Sequence, residues 1–67
     1  MAKARVLFEG EAKEVSFTGR KDVMEVLRLA GLNPDVYLVR RKGEIIPDDE
    51  VVRGGDRLEC LRVVSGG

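Results

Sequence analysis

From Ala4 to Phe8, apolar and polar positions alternate. Ala4, Val6 and Phe8 fall on one side of an extended chain, and Arg5, Leu7 and Glu9 on the other, the period of a strand with one buried face. Glu9-Gly10-Glu11 supplies a turn glycine. A second alternating run spans Ala12 to Phe17, with Val15 and Phe17 on one face and Glu14 and Ser16 on the other. Two short runs around a glycine turn predict an antiparallel hairpin. The period then lengthens. Val23, Val26, Leu27 and Ala30 recur at the spacing of one helix face, which predicts an amphipathic helix from Asp22 to Ala30 after the loop Thr18-Gly19-Arg20-Lys21. Asp22 is its N-cap, and Glu25 completes a capping box. Gly31 takes the position after the C-cap, and Pro34 prevents continuation. So short a helix must be held by packing against a sheet.

Val36-Tyr37-Leu38-Val39-Arg40 shows little polar alternation, the pattern of a strand buried on both faces or placed centrally. Lys42-Gly43 marks a tight turn, and Glu44-Ile45-Ile46 is a brief return strand ended by Pro47. Asp48-Asp49-Glu50 reads as the start of a single helical turn with Val51 and Val52 inward. After the turn Gly54-Gly55-Asp56, a final strand runs from Arg57 to Val64. Leu58 and Cys60 lie on one face of it, Leu61 and Val63 on the other. A hairpin, a helix crossover and further strands give a mixed sheet with its helix on one face, an α+β arrangement.

Composition narrows the function. Twelve basic and twelve acidic side chains cancel, so no strong overall field attracts nucleic acid. One tyrosine, two phenylalanines and no tryptophan leave little to stack on bases. One cysteine and no histidine exclude an internal disulfide and argue against a metal site. A lone thiol fits the reducing cytosol. Met1-Ala2-Lys3-Ala4-Arg5 lacks the long apolar region of a signal peptide, and no apolar run approaches the ~20 residues that span a bilayer. The expectation is a cytoplasmic protein without membrane or nucleic-acid partners.

The chain finishes Val63-Val64-Ser65-Gly66-Gly67. One reading is a frayed terminus, which is common. The other is a side-chain-free stalk of about 10 Å over its last three residues, able to enter a slot closed to branched side chains and to present the Gly67 carboxylate. Several segments bear on the choice: Arg5-Val6-Leu7-Phe8-Glu9-Gly10, Val26-Leu27-Arg28-Leu29-Ala30-Gly31-Leu32, the stretch from Val39 through Gly43-Glu44-Ile45-Ile46-Pro47, Gly54-Gly55-Asp56-Arg57-Leu58-Glu59, and the terminal Gly66-Gly67. In this order they resemble the β-grasp sulfur carriers of the ThiS/MoaD family, relatives of ubiquitin that include small archaeal modifier proteins. Two departures stand out. Lys42 occupies a position where many members carry asparagine, which accepts the turn conformation more readily. Leu61-Arg62-Val63 replaces segments that often contain proline.

The resemblance implies one ubiquitin-like β-grasp domain over residues 1–67. Its mixed sheet has four to five strands, one main helix packs on one face, and a flexible tail covers 65–67. It also implies that an E1-like enzyme spends ATP to adenylate Gly67, followed either by thiocarboxylate formation or by conjugation to lysines of target proteins. Gly66 and Gly67 are then the activation site. The partners are the E1-like enzyme and a sulfurtransferase or sulfur-accepting synthase subunit, and the chain itself binds no cofactor and is not an enzyme. Leu7, Leu61 and Val63 form the expected docking face, with Arg5 and Arg62, together with Arg40 or Arg41, as its rim; scattered surface leucines are the plainer alternative. Cys60 reads as a small buried hydrophobe rather than a nucleophile, since no histidine is available to activate it. A β-grasp docking module with a chemically idle tail is the competing function.

Overall fold

A computed structural model describes residues 1–63. Strands β1 (Ala2–Phe8) and β2 (Glu11–Phe17) form the expected hairpin, paired from Ala2 opposite Phe17 to Phe8 opposite Glu11. After β3 (Lys21–Asp22) and helix α1 (Val23–Leu29) come a 3-10 turn (Pro34–Val36), β4 (Tyr37–Arg41), β5 (Glu44–Ile46), β6 (Val51–Val52) and β7 (Arg57–Arg62). The main sheet has five strands in the order β2-β1-β7-β4-β5, with the parallel pair β1–β7 at its centre, and β3 and β6 form a separate two-stranded ladder. This is the expected α+β, ubiquitin-like β-grasp arrangement.

The helix covers one face of the sheet. Val23, Val26 and Leu27 are fully buried against a core that includes Val6, Val39 and Leu58. Its ends are built as the sequence predicts. The Asp22 carboxylate accepts from Glu25 N–H at 2.8 Å, and Glu25 accepts from Asp22 N–H at 3.2 Å. Gly31 takes φ +82°, a conformation that costs glycine little. Lys13 on β2 adds a donor, its Nζ 2.9 Å from the Ala30 carbonyl, where a cation also suits the helix dipole.

Three expectations are corrected. The strand read at Val36–Arg40 begins at Tyr37, and of its two readings the central position holds: it lies between β7 and β5, with Tyr37 and Val39 buried and Leu38 49% exposed. A single helix covers a single face, so even a non-edge strand keeps one side open. Asp48-Asp49-Glu50 forms a turn closed by Glu50 N–H to Pro47 C=O at 3.1 Å, not a helical turn. The carbonyls of Asp48 and Glu50 instead accept from Met24 and Val23 N–H at 3.0 Å, satisfying donors that a helix start leaves unpaired. Lys21, expected in the loop before the helix, instead pairs with Val52 in a short ladder that the N-cap Asp22 joins through Val51. The last strand ends at Arg62; Val64 and the tail at 65–67, with Gly66 and Gly67, lie outside the described residues.

Candidate docking face and tail root

The open face of the sheet is built by strand alternation. On β7, Leu58 and Cys60 are buried under the helix, so Glu59 and Leu61 face outward. Leu61 stands directly opposite Leu38 of β4, and the two are 42% and 49% exposed. Leu7 on β1 neighbours Glu59, and Ile45 on β5 neighbours Arg40, extending the apolar surface to either side. Val63 is exposed just past the strand. Leu38 and Ile45 thus join the expected Leu7, Leu61 and Val63. A shallow groove of about 340 Å³ runs beside Leu7, Ala12 and Leu61, next to the β1–β2 turn.

Charge surrounds this surface. Arg5 lies between Glu14 and Arg57 in the register, on the open face with Leu7 by strand parity. Arg40 sits within the face and pairs with Glu59 at 3.0 Å; that hydrogen bond and the adjacent guanidinium charge hold the Glu59 carboxyl below its ordinary range. Arg41 and Arg62 belong to the other side. Arg62 is opposite Tyr37, a buried residue, and Arg41 follows Val39 by two positions. Arg41 donates to Glu50 at 2.7 Å, Asp56 at 3.1 Å and the Val51 carbonyl at 3.0 Å. It lines a hollow of about 570 Å³, but these partners already satisfy its charge. It is a clasp between β4 and the loops flanking β6.

At the end of β7, Arg62 Nη1 is 3.1 Å from Glu9 Oε1, and the Tyr37 hydroxyl donates to the other Glu9 oxygen at 3.4 Å. Burial, then the Glu9 charge, raises the Tyr37 pKa and keeps it a donor. Val63 N–H donates to Val36 C=O at 2.8 Å, the last backbone tie among the described residues. Cys60 is 6% exposed, and burial pushes its thiol from 9.0 to about 11, which leaves it protonated and unreactive at neutral pH. Among the described residues, no group of three or more His, Cys, Asp or Glu side chains could hold a metal ion. Nor is any helix there long and apolar enough to cross a membrane.

Sequence reasoning missed Leu38 and Ile45. The available signal was parity: Leu38 alternates with Tyr37 and Val39, and among the described residues a single α-helix covers the sheet.

The ThiS family model matches residues 1–67 of the chain. Sulfur carrier protein TtuB of Thermus thermophilus is 40% identical over 57 residues, covering 85% of this chain and 88% of that protein. An uncharacterized protein of Archaeoglobus fulgidus is 33% identical over 60 residues, covering 90% of this chain and 87% of its own length.

Proposed function

The chain belongs to the ThiS family, and from that premise we propose that it is a ubiquitin-like sulfur carrier and protein modifier activated at Gly67. The observation that carries this reading is the family match through Gly66-Gly67, on a chain whose last strand brings an uncovered apolar face to the root of that tail. A carboxylate is a poor acyl donor because oxide would have to leave. An E1-like enzyme overcomes this by joining the Gly67 carboxylate to the α-phosphate of ATP and releasing pyrophosphate. AMP then becomes the leaving group. A persulfide carried by a sulfurtransferase displaces AMP to give an acyl disulfide. A thiol then cleaves its S–S bond, leaving a disulfide and the thiocarboxylate, which a sulfur-accepting synthase or a tRNA-, thiazole- or molybdopterin-directed enzyme consumes. Alternatively a target lysine amine attacks the activated carboxyl and displaces AMP to form an isopeptide bond. The chain is substrate and carrier; ATP binds to its partner, and the reactions take place in the cytosol.

The outer face supports this division of labour. Leu38, Leu61 and Ile45 present apolar area without covering from the body of the protein, and Leu7 and Val63 continue it toward the tail. A partner that seats this face is brought to the end of β7, to which the terminus is joined. The test is ATP–pyrophosphate exchange with the E1-like enzyme of the same source. The intact chain should support exchange, and a chain lacking Gly67 should not. Equal exchange by the truncated chain rejects activation at Gly67 and favours the docking-module reading, in which the tail is idle and Leu61→Glu alone weakens partner binding.

A further inference from the structure

The β1–β2 turn contains a residue that its backbone does not favour. Glu9 has φ +47° and Gly10 φ +78°, so both central residues of this two-residue turn are left-handed. Side-chain-bearing residues other than asparagine and aspartate enter that region at a cost. Asparagine or glycine would serve the turn better. What glutamate adds is reach. Its two carboxylate oxygens accept from Arg62, 53 positions later, and from Tyr37. The Arg62 and Glu9 side chains are 61% and 48% exposed, and so exposed an ion pair adds little to stability. Stability alone does not account for glutamate at this position.

The location of the pair does. Arg62 is the final residue of β7, and Val63 is tied to Val36 immediately after it. Glu9, Tyr37 and Arg62 therefore gather the β1–β2 turn, the start of β4 and the end of β7 beside Val63. We propose that Glu9 is a positioning residue for the reaction at Gly67: through Arg62 it steadies the end of β7, to which the reacting terminus is joined. The proposal rests on the sulfur-carrier reading. A steadied strand end reduces what the partner must order when the terminus enters its active site, and small misplacements of a reacting group lower rates steeply.

The test separates positioning from stability. Glu9→Asn suits the left-handed turn but is too short to hold Arg62. In the full chain it should keep or raise the thermal midpoint and speed hydrogen exchange at the Val63 amide. It should also lower kcat/KM for E1-catalysed adenylation by up to about fivefold. Glu9→Gln, whose amide oxygen still accepts from Arg62 while its NH2 can only donate toward the Tyr37 hydroxyl, should recover part of that loss. The exchanged pair Glu9→Arg with Arg62→Glu should recover more activity than Arg62→Glu alone. Unchanged kcat/KM in Glu9→Asn overturns the proposal, as does a loss that follows a lowered midpoint. Failure of the exchanged pair to improve on Arg62→Glu assigns Arg62 to direct partner contact and likewise overturns it. If the wild-type chain is not adenylated, the carrier reading fails and the proposal with it; wild-type turnover alongside an unaffected Glu9→Asn chain removes the latch alone.

Discussion

Replacing Leu38 and Leu61 together by alanine removes the centre of the outer face. Complete burial of a leucine side chain is worth about 1.5–3 kcal/mol. Leu38 is 49% exposed and Leu61 42%, so a partner that covers both gains roughly half of that value from each, about 1 kcal/mol apiece. The pair therefore contributes about 2 kcal/mol to binding, or roughly thirtyfold in Kd. Because the two residues oppose each other across β4 and β7, their effects should couple rather than add independently. The fold should survive, since neither residue belongs to the buried core under the helix. Calorimetric titration against the E1-like enzyme measures the effect, with circular dichroism confirming a folded chain. Leu29→Ala is the control: Leu29 is 54% exposed, but it belongs to α1 rather than the sheet. Binding by the double variant within about threefold of wild type, or an equal loss in the Leu29 control, refutes the assignment of this face.

Three further outcomes follow from the geometry. The folded state holds the Cys60 proton from pH 9.0 to about 11, where an unfolded thiol releases it. Stability from this group is thus complete below that window and falls through it by up to about 1.4 kcal/mol per pH unit; denaturation midpoints should show the decline, and Cys60→Ala should flatten it while leaving Gly67 activation intact. Lys42 takes φ +52° ahead of Gly43 at +79°, so Lys42→Asn should stabilise the chain by about 1 kcal/mol and raise its melting temperature by roughly 4–8 °C. Asp22→Ala removes the side-chain bond to Glu25 N–H; chemical denaturation should show a loss of about 1 kcal/mol with partner affinity unchanged.

Local patterns carried much of the architecture. The alternation of Ala4, Val6, Val15 and Phe17, the helical spacing of Val23, Val26 and Leu27, and the signals at Asp22 and Gly31 each reflect a short-range rule that the packed structure obeys. Where two arrangements share one local pattern, the sequence was ambiguous. Three apolar residues at Tyr37-Leu38-Val39 suit burial on both faces, or a strand whose open side is apolar; the number of covering layers decides, and it is a property of the whole fold. Pro47 followed by acids suits a helix start, yet the carbonyls there are drawn to the N-terminus of α1. Arg62 and Leu61 are adjacent in sequence and opposite in space, which strand parity alone would have revealed. The link from Glu9 to Arg62 spans 53 positions and had no local sign.

The central claim, that the Gly67 carboxyl is the group put to use, is tested most directly by the intact mass of the chain recovered from its own host cells. The account predicts a species heavier by the difference between sulfur and oxygen, with the change at Gly67, or larger conjugates joined through that residue to lysines. A mature chain that continues past residue 67, or one carrying neither modification while its sulfur-dependent partner reactions proceed, would contradict it.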